Sequence, residues 1–233
     1  MLERPPIKPY KSAMDWPYRL CHLGGRFVFF CTMRLHLIRP EAMARSGPYL
    51  IACTHLSHME PFLLAVLLPR PIDWITRTEF FKYRPAAWLL RALNAIEVRR
   101  FGVPVSAVRK SIHRLQGGRV VGICPEGGVA KGADSCIRGG PIKHGVCLIS
   151  YRTGVPVLPC VILGADKLNC VPPWLPFRRA KLWVAFSDRV IEPRRDLERR
   201  EARRAMAEEL AREYVKLFKE LLERFAVEEN EIP

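Results

Sequence analysis

A histidine and a glutamate, His55 and Glu60, stand with four residues between them, directly after a short apolar segment. A neutral imidazole can accept a proton from a hydroxyl, and a carboxylate beside the ring fixes its tautomer and stabilises the imidazolium. Such a pair can activate a substrate hydroxyl that is itself the nucleophile, so no protein serine or cysteine nucleophile is needed. Taken alone, this spacing is a weak signal, because a capping or solvated role fits it equally well.

The segments on either side of the pair indicate how it is positioned. Residues 49–54 (YLIACT) form an apolar run with a β-branched member, which predicts a buried strand. Pro61 favours the first turn of a helix, so a helix is expected from there. His55 and Glu60 therefore fall on a strand-to-helix loop, where α/β sheets usually carry reactive groups.

The rest of the chain repeats this alternation of strands and helices. Short apolar runs predict strands at 72–76, 96–100, 119–124, 155–163 and 181–186, and helical patterns lie between most of them. The expected fold is α/β, with a mainly parallel central sheet flanked by helices. Pro156 and Pro159 favour an edge or irregular position for their strand.

The two ends of the chain differ from this core. Residues 1–17 are rich in proline and predict an extended arm, and 18–38 predict a helix that combines aromatic and aliphatic residues with arginines. That helix suits a membrane interface, although a core helix with solvated arginines fits equally well. We expect an arm and interfacial helix in 1–40, an α/β core in 41–192, and a long C-terminal amphipathic helix in 193–233, together forming one domain.

Charge and cysteine content restrict the possible partners. The formal net charge of +15 favours polyanions, namely nucleic acid, anionic lipid or a phosphorylated substrate. The eight cysteines contain no CxxC pair, so a zinc ribbon or a disulfide framework is disfavoured and a reducing cytosolic compartment is favoured. No stretch reaches the roughly 18 uninterrupted apolar residues of a membrane span, and no signal peptide is recognisable. We therefore expect peripheral association with the cytoplasmic face of a membrane.

Four segments in a fixed order carry a family resemblance: THLSHMEPFLL, IEVRR, CPEGG and VPVLP, within about residues 48–164. They resemble the four blocks of the PlsC-like glycerolipid acyltransferase superfamily. The first block there is a His, four residues and an Asp, usually with Asn ahead and Ser two after the His. The second ends an apolar strand in Arg, the third reads Phe-Pro-Glu-Gly-Thr-Arg, and the fourth reads Val-Pro-aliphatic-aliphatic-Pro.

The resemblance implies roles for individual residues. His55 matches the catalytic base, Glu60 takes the place of the family Asp, and Ser57 stands where the family Ser stands. Arg100 matches the arginine that is associated with the substrate phosphate, whereas Arg99 is expected on the opposite face because side chains alternate along a strand.

The third block both matches and departs from the family. Glu126 and Gly127 match its Glu-Gly and are implied as substrate-binding residues. Gly128 and Val129 replace Thr-Arg, which removes a cation expected to hold a phosphate, and Lys131 is the nearest substitute. Thr54 replaces the family Asn ahead of the histidine.

The implied activity is transfer of a fatty acyl group from acyl-CoA or acyl-carrier protein to a hydroxyl of a lysophospholipid such as 1-acylglycerol-3-phosphate. The departure at Val129 leaves a different lysolipid acceptor open. No metal and no bound organic cofactor are implied, because the acyl thioester is a co-substrate.

Two functions of other classes remain as alternatives. His55, His58 and Glu60 could ligate a metal in a hydrolase, although no further ligand motif accompanies them. The basic charge could serve a nucleic-acid-binding protein, but no recognition motif and no aromatic residues interleaved with basic ones are found. Anionic membrane lipids, the lysolipid and the acyl donor are therefore the expected partners, and nucleic acid is not.

Overall fold

A seven-stranded sheet forms the centre of the protein in the computed structural model, which describes residues 15–99, 104–169 and 180–227. The strands are β1 Met33–Ile38, β2 Tyr49–Cys53, β3 Ile72–Arg77, β4 Ile96–Val98, β5 Val120–Ile123, β6 Val157–Leu163 and β7 Ala180–Phe186. The α-helices are α1 Asp15–Thr32, α2 Glu60–Leu67, α3 Arg84–Ala92, α4 Val105–Gln116, α5 Gly145–Thr153 and α6 Arg199–Phe225.

The order of strands across the sheet is β1-β7-β6-β2-β5-β3-β4. Every neighbouring pair is parallel except β6 with β7, which is antiparallel. Strands β2 to β6 therefore run in one direction, with β2 and β5 in the middle. The expected α/β fold with a mainly parallel sheet is confirmed. Strands β2 and β6 are buried along their whole length, as is typical of parallel strands that are covered on both faces.

The N-terminal helix is shorter than the sequence predicts. It ends at Thr32, and Met33–Ile38 instead form β1, which pairs with β7 along its whole length. The apolar content of this segment is compatible with either state, and pairing with an otherwise open sheet edge decides it. Tyr18 fixes the helix to the core, because its hydroxyl donates to the carbonyl of Ala65 and accepts from the N–H of Ile72, both at 3.2 Å.

The two prolines of the fourth block do not mark an edge strand, so the edge position, one of the two expected alternatives, is wrong. Strand β6 lies between β2 and β7. The carbonyl of Pro159 accepts a hydrogen bond from Ser187, the residue after β7 ends at Phe186. The missing N–H of Pro159 faces this same side, beyond the last residue of β7, so the ladder does not require it.

The long C-terminal helix is confirmed as an amphipathic helix that packs on the sheet. Its buried face carries Met206, Leu210, Tyr214, Leu217 and Leu221. The hydroxyl of Tyr214 donates a 3.0 Å hydrogen bond to the carbonyl of Ala52 near the end of β2. This contact supports the strand that leads into His55.

Candidate active site

The carboxyl ends of the parallel strands bring the motifs of the sequence together at one edge of the sheet. His55 follows β2, Cys124 follows β5, Arg77 ends β3 and Arg99 follows β4. Because β2 pairs with β5 and β5 pairs with β3, these residues are neighbours in space although they are far apart in the chain. Such an edge is the usual location of a ligand site in an α/β sheet.

His55 and Glu60 approach each other as the sequence predicts. The Nδ1 atom of His55 lies 3.4 Å from Oε2 of Glu60, whose side chain is completely buried. The other carboxylate oxygen of Glu60 accepts a 2.6 Å hydrogen bond from the backbone N–H of Ser57. One carboxylate oxygen is therefore held by the loop and the other is left for the imidazole.

Ser57 organises the loop itself. Its hydroxyl accepts a 2.9 Å hydrogen bond from the N–H of Met59, and the residue is only 1% exposed. This arrangement makes a short turn that brings Glu60 back towards His55. Among the described residues, Ser57 does not line the cavity beside His55, and its expected contact with substrate stays a prediction.

The ionisable groups around His55 shift one another's pKa values. Burial lowers the pKa of His55, but hydrogen bonding to Cys124 and Glu60, together with their negative charges, outweighs burial and raises it to about 10. Hydrogen bonding to Cys53 lowers the pKa of Cys124, burial opposes this, and His55 lowers it further, to about 7. Burial and the neighbouring His55 lower the pKa of His58. The imidazole therefore lies in a negative environment, which stabilises its protonated form.

Glu126 connects the third block to the first. One carboxylate oxygen accepts a 2.5 Å hydrogen bond from the N–H of His55. The other accepts hydrogen bonds from the Ser135 hydroxyl at 2.8 Å and from the Cys136 N–H at 3.0 Å. Both oxygens are thus occupied by protein donors, and Glu126 is 8% exposed. These hydrogen bonds join Glu126 to the backbone of His55, and its expected contact with substrate stays a prediction.

A cavity of about 620 Å³ opens beside His55 and His58. Its walls come from β3, β4, the end of β5 and helices α2 to α5. Most of the side chains that line it are apolar, including Phe62, Trp74, Ile75, Leu89, Leu90, Leu93, Val98, Val108, Ile123 and Ile149. A volume of this size lies within the usual range for pockets that bind small molecules. Its apolar walls suit a hydrocarbon chain.

Three cations line the same cavity: Arg77, Arg99 and Lys143. Arg99 was expected on the face opposite to Arg100, and that relation stays a prediction because only Arg99 belongs to the described residues. Lys131 is exposed and does not belong to the described residues that line the cavity. Arg100 lies outside the described residues.

Gly127 and Gly128 make room for two of these cations. Gly127 has a φ of +71°, which favours glycine, and a Cβ atom there would lie 2.5 Å from Nζ of Lys143. A Cβ atom at Gly128 would lie 2.5 Å from Nη2 of Arg77, which donates a 2.8 Å hydrogen bond to the Gly127 carbonyl. The glycine that replaces the family threonine therefore leaves space for the Arg77 guanidinium.

Sequence reasoning missed Arg77 and Lys143 for different reasons. Arg77 ends an apolar strand in the same way as the arginines of the second block, so its position was a usable signal. Lys143 reaches the site because the loop after β5 folds back, with the N–H of Lys143 donating a 2.8 Å hydrogen bond to the carbonyl of Pro125. No local pattern in the sequence predicts that this loop folds back to the site.

Two further properties bear on the alternative functions. Within residues 15–99, 104–169 and 180–227, no group of three or more His, Cys, Asp or Glu side chains is arranged to hold a metal ion. None of the helices in these ranges combines the length and apolar character that crossing a bilayer requires.

The outer face of α1 carries an exposed apolar stripe. Trp16, Leu20, Leu23, Phe27 and Phe30 are each 63–76% exposed and recur at steps of three and four residues, so they share one face of the helix. Trp88 on α3, which packs beside α1, is 65% exposed. An exposed apolar surface of this extent is typical of an interaction site.

Comparison with known proteins finds a family and two relatives with similar sequences. The sequence model of the family described as Acyltransferase matches residues 34–163. A 1-acyl-sn-glycerol-3-phosphate acyltransferase of Bacillus subtilis is 24% identical over 151 residues, which cover 64% of this chain and 73% of the relative. A chloroplastic 1-acyl-sn-glycerol-3-phosphate acyltransferase of Brassica napus is 26% identical over 121 residues, which cover 50% of this chain and 34% of the relative.

The fold is also similar to a solved structure. The crystal structure of the 1-acyl-sn-glycerophosphate acyltransferase PlsC from Thermotoga maritima superposes with a TM-score of 0.66 at 22% identity. The superposition covers 88% of this chain and 81% of that protein. The family match spans more than half of the chain and includes the segments that carry His55, Glu60 and Glu126, and the chain therefore belongs to the PlsC-like acyltransferase family.

Proposed function

We propose that this O-acyltransferase moves a fatty acyl group from an acyl thioester to a hydroxyl of a lysophospholipid, with His55 as the base and Glu60 as its partner. The observation that carries the proposal is the 3.4 Å approach of His55 Nδ1 to a buried Glu60 carboxylate at the wall of an apolar cavity. A base, a fixed carboxylate and an apolar chamber are the parts that acyl transfer to a hydroxyl requires.

In the proposed reaction His55 takes up one proton and later releases it, so the His55–Glu60 pair returns to its starting state. Nδ1 of His55 faces Glu60, so in the neutral form of the imidazole Nε2 accepts the hydroxyl proton of the acceptor. The acceptor oxygen attacks the thioester carbonyl, the C–S bond breaks, and the proton on His55 passes to the departing thiolate. Glu60 stabilises the imidazolium between these two steps. In this scheme no metal and no bound organic cofactor are needed, and acyl-CoA or acyl-carrier protein is a co-substrate.

For the acceptor we propose a lysolipid with an anionic head group, such as 1-acylglycerol-3-phosphate. The names of the Bacillus and Brassica relatives support this choice. Arg77, Arg99 and Lys143 line the cavity that His55 borders, and an arginine can hold a phosphate by two parallel hydrogen bonds. Arg100 is proposed as a further cation through its match to the second block. Val129 still stands where the family has an arginine, so a different lysolipid is the alternative acceptor.

We also propose that the enzyme works as a peripheral protein on the cytoplasmic face of an anionic membrane. The exposed apolar stripe of α1 suits burial in the interface, and the net charge of +15 suits anionic lipid. In this proposal residues 1–40 supply the membrane contact, 41–192 the catalytic core and 193–233 a helix that packs on the core.

An acyl transfer assay with a panel of acceptors tests the proposal. Purified protein is incubated with labelled acyl-CoA or acyl-carrier protein and with 1-acylglycerol-3-phosphate, lysophosphatidylcholine or lysophosphatidylglycerol in vesicles. We expect a diacyl product that depends on His55, formed fastest from an anionic acceptor. If wild-type protein transfers no acyl group to any hydroxyl acceptor, the proposed function is wrong.

A further inference from the structure

Three cysteines lie side by side across the middle of the sheet. Cys53 on β2 is paired with Cys160 on β6. Ala52 is paired with Ile123 on the other side, so Cys53 and Cys124 are the next neighbours along β2 and β5. The Sγ atoms of Cys53 and Cys124 are 3.7 Å apart. The acyl transfer mechanism proposed above uses none of these thiols.

The three thiols differ in their access to small molecules. Cys124 lines the cavity beside His55, whereas Cys53 and Cys160 are both completely buried. A reagent that enters the cavity therefore meets Cys124 first, with Cys53 directly behind it.

Cys124 and Cys53 differ in ionisation as well as in accessibility. Hydrogen bonding to Cys53, opposed by burial and assisted by His55, lowers the pKa of Cys124 below that of an ordinary thiol, which favours its thiolate. Burial raises the pKa of Cys53, which therefore stays protonated. A thiolate with access to small molecules and a neighbouring thiol are the two parts of an oxidisable pair.

We propose that Cys124 and Cys53 are a peroxide-sensitive modification site that closes to a disulfide and reversibly inactivates the enzyme. The Cys124 thiolate attacks hydrogen peroxide, the O–O bond breaks, and protonation yields a sulfenic acid and water. The Cys53 thiol then attacks the Cys124 sulfur, the S–O bond breaks, and the disulfide and a second water form. Peroxide is the only oxidant required, and a thiol reductant restores both cysteines.

The spacing of neighbouring strands is compatible with this bond. Neighbouring strands lie about 4.7–4.9 Å apart, within the roughly 4.4–6.8 Å separation of Cα atoms that disulfides adopt. The two sulfur atoms already face each other at 3.7 Å, so they need to approach by less than about 2 Å to reach the bonded distance of about 2.05 Å.

Disulfide formation would change the surroundings of His55. The Cys124 sulfur turns towards Cys53 and loses its negative charge, which is one of the two charges that raise the pKa of His55. Cys124 also precedes Pro125 and Glu126, and the Glu126 carboxylate holds the backbone of His55. The effect on acyl transfer rests on the proposed role of His55, whereas the disulfide itself does not.

Peptide mapping of oxidised protein tests the proposal directly. Full-length reduced protein is treated with hydrogen peroxide, its free thiols are alkylated under denaturing conditions, and tryptic peptides are analysed by mass spectrometry with and without dithiothreitol. Wild-type protein and Cys160→Ala should both give a cross-link between the peptides of Cys53 and Cys124. Cys53→Ala should give no cross-link. Because it also removes the hydrogen bond that lowers the pKa of Cys124, its Cys124 should be oxidised more slowly, and the sulfenic acid that forms should be captured by dimedone.

Acyl transfer is measured on the same samples. We expect wild-type activity to fall at least about tenfold as the cross-link forms and to return with dithiothreitol. A cross-link between Cys53 and Cys160, oxidation that spares Cys124, or a complete cross-link with unchanged activity would overturn the proposal. A protein that forms the cross-link but shows no acyl transfer before oxidation would instead contradict the proposed function.

Discussion

The backbone N–H of His55 donates a 2.5 Å hydrogen bond to the carboxylate of Glu126, a residue 71 positions further along the chain. The first and third sequence blocks are thus physically joined. Ala130 adds a second connection, because its N–H donates a 3.0 Å hydrogen bond to the carbonyl of His55. The loop that carries the proposed base is therefore held by hydrogen bonds to the loop after β5 as well as by its own internal hydrogen bonds.

Glu126→Gln tests whether the hydrogen bonds between these two loops stabilise the fold. An amide keeps the shape but replaces one acceptor oxygen with a donor, which would face the N–H of either His55 or Cys136. A hydrogen bond to a charged group is worth about 1.5–3 kcal/mol, so we expect the free energy of unfolding to fall by about 2 kcal/mol. Urea denaturation followed by circular dichroism measures this. An unchanged unfolding midpoint together with a raised KM would instead support direct contact with substrate.

His55→Ala should reduce kcat by about 10²–10⁴-fold, because loss of a positioned general base removes a contribution of that size. The fold should persist, since the side chain lies at the cavity wall and the backbone hydrogen bond to Glu126 is kept. Acyl transfer kinetics measure the loss, and His58→Ala is the matched control for a neighbouring imidazole. A folded His55→Ala protein with near-normal turnover would exclude the proposed base.

Glu60→Gln should move the pH dependence of kcat/KM in a defined direction. The Glu60 carboxylate raises the pKa of His55, so its removal should lower that pKa. A base must be neutral to act, so the rising limb of the profile should shift to lower pH while the maximal rate falls. Cys124 also raises the pKa of His55, and it remains in this variant. A profile that falls in height without moving along the pH axis would show that Glu60 does not control the ionisation of His55.

Arg77→Ala and Lys131→Ala form a matched pair, because each removes one positive charge from the third-block region. Arg77 lines the cavity and packs against Gly128, whereas Lys131 is exposed outside the cavity. Loss of a charge-assisted contact with phosphate, worth about 1.5–3 kcal/mol, should raise the acceptor KM roughly 10–100-fold in Arg77→Ala. Lys131→Ala should change it less than about twofold. Equal effects of both variants on acceptor and donor would indicate a general electrostatic contribution instead.

The parts of the site that depend on residues close together in the chain could be predicted from the sequence. His55 and Glu60 share one strand-to-helix loop, so a short-range pattern was sufficient to pair them. The α/β fold followed from the alternation of elements in the same way. The interior position of β6 was not predictable from Pro156 and Pro159, because it depends on where β7 ends relative to Pro159.

The parts that could not be predicted depend on contacts between distant segments. Glu126 was recognised by its block, but its bond to His55 exists only because β2 and β5 are adjacent. Arg77 reaches the cavity beside Gly128 through the pairing of β3 with β5. Residues 33–38, which the sequence predicts as helix, form β1 because they pair with β7, almost 150 residues away.

Membrane binding should depend on the apolar stripe of α1. Phe27 and Phe30 are 72% and 76% exposed, and burying each ring in a membrane interface would contribute about 1.5–3 kcal/mol. Phe27→Asp with Phe30→Asp should therefore weaken binding to anionic vesicles by at least about tenfold, as measured by co-sedimentation. Added salt should weaken wild-type binding but leave a salt-resistant fraction, because screening acts on charges and not on apolar burial.

The control for this pair is Arg212→Ala with Lys219→Ala, which changes the net charge by the same amount at exposed positions on α6. If the stripe provides the contact, this control should lose much less binding than the α1 variant, and its residual binding should still resist salt. Equal losses in the two variants would mean that net charge alone holds the protein to the vesicle. An α1 variant that binds as tightly as wild type at every salt concentration would exclude the helix as the membrane contact, while leaving the chemistry at His55 to be judged by its own tests.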